Sequence, residues 1–523
     1  MTGEPASPPL LCLDLGTSAA KAALVDCDGR TRAVATRAYP TATTPDGGAE
    51  QDPGDWLRAT REAIGEVSAA ADTAPPSALA ITGQMQDLIL LPAPSTPQTP
   101  AILYSDTRAV IEAEEIHALL AGQGADWDAL TGNQQDATSC AAMHRRLRRT
   151  DPATVKRSRG LVFGPAGFLA DALGLGAWCD PTTASTTGLL DAGTRRWSPA
   201  VARAAGIPQE HLPRLTSGSA QTIGRTDARA QDLLGLPAGI PVVLVAGDAG
   251  ATTAGIVGLA AGEAYAYMGT SGWVASVVAD APVGSARHSV DVSHRLLLEA
   301  DGSGRRSLRI SALLAAGAAA SWAREAFLGG ASTSQADGLL EQREAECGRG
   351  PTGLLALPSI HGERYPVRDA ELRAAVLGMD ATTRGPDVYA AVLEGVAHAI
   401  GHALAGVDGA DGGEGADGGA GVLAVTGGGA ASAPWRRILA DVTGRQVRAV
   451  PEADAALLGT ALLAAEALEL PHRIRPLAEQ ARSGGVVVEP EARAVQGHAR
   501  MRAAHRALYG AAADVMAMVP TGE

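Results

Sequence analysis

Apolar residues at the start of the chain fall in short runs broken by turn residues, a pattern of extended strands rather than helix. Leu10-Leu-Cys-Leu13 and Ala22-Ala-Leu-Val25 read as strands flanking the polar segment Asp14-Leu-Gly-Thr-Ser18. Asp26-Cys-Asp-Gly29 then supplies an Asp-Gly hairpin signal before a third strand. The pattern returns in the second half, where Glu263–Met268 leads into Gly269-Thr-Ser271 and Trp273–Val278 follows. A Gly-Thr-Ser turn between two strands therefore occurs once in each half, which predicts two related α/β domains facing each other. Pro241–Ala246 is an apolar run of the buried-strand type, ending at Gly247-Asp248 and leading into a helix-like stretch, Ala251–Ala260. The domain boundary is placed there: 8–246 for the first domain, 247–470 for the second, and 471–523 as a C-terminal helical extension. Asp387–Leu404 predicts a long helix, and Gly406–Gly421, rich in Gly, Asp and Ala, predicts a surface loop without chemistry before the strand Val422–Val425.

A length of 523 residues supports this division, because single cores stop growing near about 250–300 residues. The apolar share of 46% and charged share of 19% are those of a globular protein, and no run approaches the roughly 18 apolar residues of a membrane span. Met1–Pro9 lacks the basic start and apolar core of a secretory signal, so a cytoplasmic location is expected. Cys12, Cys27, Cys140, Cys179 and Cys347 are scattered and form no C-x-x-C, which argues for reduced thiols and against zinc. A net charge of −14 opposes nucleic-acid binding, and the one compact basic cluster, Arg145-Arg146-Leu147-Arg148-Arg149, reads as a solvated helix face.

Several segments have the composition of a phosphate or hydroxyl site. Asp14 sits at a strand end before glycine and two hydroxyls, where backbone amides can face phosphate and the carboxylate can hold Mg²⁺ through water, although a turn Asp bonding its own backbone has the same pattern. Lys21 can approach phosphate or protect a strand edge. Thr426-Gly-Gly-Gly-Ala430 between a strand and a helix is a nucleotide-binding layout, yet it gives neither G-x-G-x-x-G nor a Walker motif. Asp52 and Pro53 read as N-cap and first helical residue, and Thr82-Gly-Gln-Met-Gln-Asp87 ends a strand with groups suited to hydroxyls.

Together these segments resemble the FGGY family of carbohydrate kinases. The resemblance is carried by Asp14-Leu-Gly-Thr-Ser18, Glu50-Gln-Asp-Pro53 with Trp56, Gly83-Gln-Met85, Asp106 with Arg108, Gly247-Asp248, Gly269-Thr-Ser271, Gly362-Glu-Arg364 with Pro366, and Gly427-Gly-Gly-Ala430, in order along nearly the whole chain. It implies two ribonuclease-H-like domains of the actin and sugar-kinase type, with the active site in the cleft between them. It assigns Asp14, Gly16, Thr17 and Ser18 to the phosphates of Mg–ATP and Gly269, Thr270 and Ser271 to a second phosphate contact. Gly427, Gly428, Gly429 and Ala430 then line the adenosine site, Gln84, Met85, Gln86, Asp106 and Arg108 lie on the sugar side, and Asp248 is the base that also meets the substrate. The xylulokinase members usually have Gly-Gln-Met-His-Gly where this chain has Gln86 and Asp87, and Gly-Gly-Gly-Ala-Lys-Ser where it has Ala431. The expected activity is ATP-dependent phosphorylation of a small sugar or polyol, a ketopentose such as xylulose or a related ketose, with a homodimer as a compatible assembly. An actin-like ATPase switching conformation without a sugar is the alternative.

Overall fold

Strands β1 (Leu10–Leu15), β2 (Ala19–Val25) and β3 (Thr31–Ala38) form the antiparallel meander that the N-terminal pattern predicts. The second turn closes through Gly29 N–H to Asp26 O (2.9 Å), with Gly29 at φ 85°, in the left-handed region that glycine enters without steric cost. The computed structural model describes residues 8–70, 75–94, 96–280, 292–298, 305–408, 421–451 and 454–518; the loop expected over 406–421 lies almost wholly outside the described residues, as does most of the N-terminal lead-in.

Helix α1 (Pro53–Ala70) starts as expected, with Asp52 Oδ1 accepting from Gly54 N–H (2.8 Å), and buries Trp56, Ala59, Ala63, Ile64 and Val67 at helical spacing. Strand β4 (Ala78–Gly83) is buried on both faces and lies parallel to β1, so its register sets Thr82 beside Asp14. With β5 (Ala220–Arg225) and β6 (Pro241–Val245) the first sheet has the order β5-β6-β4-β1-β2-β3. Helix α2 (Asp248–Ile256) follows β6 directly.

The second domain repeats this plan. Strands β7 (Ala264–Met268), β8 (Gly272–Ala279), β9 (His294–Leu298) and β10 (Arg306–Leu313) come first, then helices α3 (Gly317–Leu328), α4 (Thr333–Cys347) and α5 (Gly385–Asp408). Strand β11 (Leu423–Thr426), helix α6 (Ala433–Thr443), β12 (Val447–Ala449), α7 (Ala455–Ala467), β13 (Val487–Val488) and α8 (Ala492–Met516) complete it. The sheet order is β9-β10-β8-β7-β11-β12-β13. In both sheets an antiparallel part, the three-stranded meander β1-β2-β3 in the first and the four strands β7-β8-β10-β9 in the second, is continued by two parallel strands and an antiparallel edge strand. This is the two-domain architecture that the paired Gly-Thr-Ser turns imply. Helix α5 is long and apolar enough to cross a membrane, but its apolar window is 94% buried among the second domain's helices.

Two features were not readable from residue patterns. Residues beyond 470 add the edge strand β13 and pack α8 against α6 and the strand Leu355–Leu357, so they build the second domain rather than standing apart from it. Helix α7 packs on the back of the first sheet, against Leu10, Cys12, Ala78 and Val243. It meets α2 backbone to backbone. A methyl group on Gly459 would lie 1.8 Å from Ala251 O, and one on Gly255 would lie 1.9 Å from Ala455 O. Because Asp248 opens α2, this crossing sets where the carboxylate stands. Gly459→Ala should cost about 1–3 kcal/mol through overpacking, read from the denaturant midpoint. A variant within about 0.5 kcal/mol of wild type would mean the helices separate freely.

Candidate active site

The Asp14–Ser18 turn is braced from three directions. Gly16 N–H donates to Ala19 O (3.1 Å), Gln84 N–H to Leu15 O (2.9 Å) and Tyr39 N–H to Ser18 O (3.2 Å), while the Tyr39 hydroxyl donates to Gly16 O. Gln51 is the hub beneath it. Its Nε2 donates to Thr17 O (2.7 Å) and Thr41 Oγ1 (2.7 Å), and its Oε1 accepts from Trp56 Nε1 (2.9 Å) and Gln84 Nε2 (3.0 Å). The Gln51…Trp56 pair is therefore a scaffold for the turn. Asp14 Oδ1 is buried without a hydrogen-bond partner among the described residues. Burial pushes the Asp14 carboxyl up, and the charge of Lys21, its neighbour across the ladder, opposes this.

In the second domain, Gly269-Thr270-Ser271 joins β7 to β8 with Thr270 and Ser271 exposed. Its carbonyls are taken up by the start of α3: Gly317 N–H donates to Gly269 O (2.7 Å), and Ala316 and Ala318 N–H donate to Thr270 O (3.1 and 3.0 Å). The glycine loop abuts this turn. A Cβ on Gly427 (φ 88°) would lie 2.8 Å from Met268 C, and one on Gly429 would lie 3.0 Å from Met268 O, whereas Gly428 faces open space. Ala430 is buried, and Ser432 caps α6 through Trp435 N–H (3.3 Å) while its hydroxyl donates to Asp337 (2.7 Å). Arg436 folds back to donate to Ala430 O and Ala431 O, a cation near the position where the xylulokinase pattern has lysine.

Asp248 begins α2. The N-cap is Gly247, so Asp248 is the first helical residue and not the cap; its carboxylate accepts from the N–H of the next residue, Ala249 (2.7 Å). Its carboxyl is pushed up to about 7, first by burial and then by the charge of Asp14, with the Ala249 N–H pulling the other way and Asp180 adding to the rise. Asp180, which sequence reasoning passed over because Asp180-Pro181 reads as an ordinary helix start, holds Asp248 in place: it accepts from Thr183 N–H (2.9 Å) and Gly247 N–H (3.0 Å).

Gln84, Met85 and Gln86 run from β4 into the same space. Gln84 is buried with Oε1 unpartnered among the described residues, and the Met85 sulfur would lie 2.3 Å from a Cβ on Gly247. Gln86 adopts φ 67°, uncommon for a side-chain-bearing residue, and its Nε2 donates to Thr138 O (2.8 Å) and Thr138 Oγ1 (3.2 Å). Thr138 in turn donates to Asp136 (2.7 Å), which pairs with Arg368 of the second domain. The sugar-side loop is thereby tied across the cleft.

Asp87, which the sequence places at the end of this polar segment without a role of its own, is fully buried beside this group, accepting from Tyr104 N–H (3.2 Å) through one oxygen while the other lacks a partner among the described residues. Burial holds its carboxyl well above the usual range against that N–H, and the charge of Asp248 raises it further. Asp106 departs from the expected substrate contact. It is 2% exposed, and its oxygens are occupied by Ala49 N–H, Arg108 N–H and the Arg108 guanidinium, which also reaches Glu50 (2.5 Å). Asp106 and Arg108 brace the Leu103–Arg108 loop that Tyr104 connects to Asp87.

The arrangement offers two exposed hydroxyl turns for phosphate and a glycine loop against one of them. A carboxylate with a raised pKa stands electrostatically coupled to Asp14. Such a set suits phosphoryl transfer to a hydroxyl. A hard cation that keeps several waters and takes one or two carboxylates fits Asp14; among the described residues no group of three or more His, Cys, Asp and Glu is placed to enclose a metal.

Comparison with known proteins gives the same picture. Residues 10–255 match the model of the N-terminal domain of the FGGY family of carbohydrate kinases, and residues 264–468 match that of its C-terminal domain. The chain is 30% identical to a xylulose kinase of Escherichia coli over 83% of its own length and 85% of that protein. It is 31% identical to a glycerol kinase of Bordetella parapertussis over 74% and 75%. The solved structure of a xylulose kinase from Brucella ovis superposes with a TM-score of 0.80 at 26% identity, covering 97% of this chain and 99% of that one.

Proposed function

Because this chain belongs to the FGGY family of carbohydrate kinases, enzymes that transfer a phosphoryl group from ATP to a sugar hydroxyl, we propose that its acceptor is a ketopentose such as xylulose or a related ketose or polyol. We further propose a cytoplasmic setting. The observation that carries the mechanism is Asp248: a carboxylate at the start of α2, pushed up to about 7 by burial and by Asp14. A base with that pKa takes a proton near neutral pH as the sugar oxygen attacks the γ-phosphorus. Asp14 would hold Mg²⁺, which when bound neutralises charge on the transferring phosphates. The turns at Gly16–Ser18 and Gly269–Ser271 bind phosphate from opposite sides, and Gly427–Ala430 lie along the adenosine. Gln84, Met85 and Gln86 meet the sugar, and Asp106 with Arg108 shape the loop beside it. Drawing the two domains together excludes water that would otherwise accept the phosphoryl group.

The similarity to xylulose kinases favours a ketopentose, and the comparable identity to a glycerol kinase keeps polyols in the test. ADP release should be stimulated strongly by one member of a panel of ketoses, aldoses and polyols. Slow turnover that is uniform across the panel is the result that an actin-like switch would give, and it would overturn the sugar-kinase reading.

Gln86 is proposed to choose among acceptors, since its amide offers both a donor and an acceptor where the resembled family pattern has imidazole. Gln86→His breaks the bonds to Thr138 and should change the ranking of kcat/KM within the panel, by about 1–3 kcal/mol for a sugar whose buried hydroxyl loses its partner. An unaltered ranking removes Gln86 from the specificity pocket.

A further inference from the structure

Four histidines meet at one helix–helix contact, and none of them is among the residues assigned above. His398 and His402 lie one turn apart on α5, and His498 and His505 lie two turns apart on α8; each is at most 2% exposed. Ring centroids are 4.9 Å apart for His398–His505, 5.4 Å for His402–His505 and 5.5 Å for His398–His498. His505 Nε2 lies 3.1 Å from Ala356 O, a group that can only accept, so this nitrogen carries the proton. His505 Nδ1 is then bare and accepts from His402 Nε2 at 3.2 Å. The bond tolerates one added proton, which either ring can hold, but not two, because with both rings protonated two N–H groups face each other and no acceptor remains. Both nitrogens of His398 and Nδ1 of His498 have no partner among the described residues.

We propose that this contact is an acid-sensitive latch: protonation of the four histidines releases the C-terminal helix α8 from the second domain.

The surroundings give an imidazolium little support. Arg502 and Arg506 on α8 and Arg343 on α4 place positive charge beside the rings. Glu394, one turn before His398, is tied to Thr352 and pushed up to about 7 by burial, so it is losing its charge at the pH where a histidine would need it. Near His498, Asp441 and Glu344 are paired with Arg349 and Arg437. Tyr509 on α8 adds a hydroxyl with no partner among the described residues, Tyr365 donates to His402 O (3.0 Å), and Glu363 is held by Leu314 N–H and the Ser359 hydroxyl. Burial, with neighbouring charge in three of the four, lowers His398 to about 2, His402 to about 3, and His498 and His505 to about 4.

The direction follows from linkage. The docked helix keeps its histidines neutral, while the released helix lets them titrate near about 6.5, so the released state binds more protons as pH falls below that value. Four such groups move the release equilibrium on the order of 10⁴-fold between pH 7.5 and 5.5. Helix α8 packs on α6, which follows the glycine loop, so release should also weaken nucleotide binding. That last link rests on the nucleotide-site reading; the latch itself does not.

Hydrogen–deuterium exchange on the full chain, corrected for intrinsic rates, tests both. Protection of α8 should collapse between pH 6.5 and 5.5 with a steepness of about three protons, while β1–β3 stay protected. His398→Phe should fold, remove one proton from that steepness and shift the collapse to lower pH; His498→Gln is the second variant should the first not fold. An α8 that stays protected to pH 5, opens only together with β1–β3, or shows a steepness below one proton overturns the latch, as does a folded variant with the wild-type profile. If α8 opens as expected but ADP affinity at pH 5.5 is unchanged, the link to the glycine loop is wrong and the latch stands.

Discussion

Asp248→Asn should yield an enzyme that folds, binds ATP and sugar, and loses on the order of 10²–10⁴ in kcat. Asparagine keeps the size and the acceptor for Ala249 N–H but cannot take the proton from the sugar hydroxyl. The pH dependence gives a second reading of the same assignment. Burial and Asp14 raise the carboxyl from 3.8 to about 7, so in wild type activity should rise with pH through about 7, as the base becomes ionised. The stability sign is opposite. An unfolded Asp ionises near 3.8 and the folded one near 7, so the folded state holds the extra proton between those values; stability falls as pH rises through that window, and the penalty is complete above about 7. Each pKa unit is worth about 1.4 kcal/mol, so Asp248→Asn should melt higher than wild type at pH 8. A stable variant with near wild-type kcat on the best sugar would refute the base assignment.

Asp14→Ala should lower kcat/KM for Mg–ATP on the order of 10²–10³, the cost of removing one preorganised charge at a phosphoryl site, while calorimetric titration with sugar alone stays close to wild type. The separation is expected because Asp14 lies at the end of β1 on a turn that Gln51, Tyr39 and Gln84 hold independently of its carboxylate. Raising Mg²⁺ should recover part of the lost rate. Loss of sugar affinity with Mg–ATP use intact would move Asp14 to the other side of the cleft.

Much of this site was legible because its parts encode their own geometry. A strand that ends in Asp-Leu-Gly-Thr-Ser or Met-Gly-Thr-Ser must turn there, and the turn's exposed hydroxyls and amides are local consequences of backbone conformation. Gly427 takes a positive φ, and the run of glycines between a strand and a helix marks a backbone turn of that kind; the close approach of Met268 is seen only in the fold. The two domains were legible for the same reason, because the antiparallel strand pair around the Gly-Thr-Ser turn that opens each sheet is written in short apolar runs and a turn.

What the chain pattern could not supply were roles that depend on burial and on distant partners. Gln51 belongs to a segment that carries the family pattern but reads only as a polar residue before a helix cap, yet folding gives it four partners and makes it the support of the phosphate turn. Asp180 reads as a cap and becomes the anchor of Gly247. Asp87 reads as the end of a motif, and only its burial beside Asp248 makes it a second raised carboxyl. Asp106 and Arg108 carry the family pattern but turn toward each other and Glu50. The four histidines of α5 and α8 lie about a hundred residues apart in pairs, and nothing in either helix alone announces the other. By itself, then, the sequence determined the strands, the turns and the chemical groups presented at them, since these follow from local backbone preference. The tertiary structure alone decided which of those groups lose water and which acquire a partner, because desolvation and charge coupling act through space between segments that the chain keeps far apart.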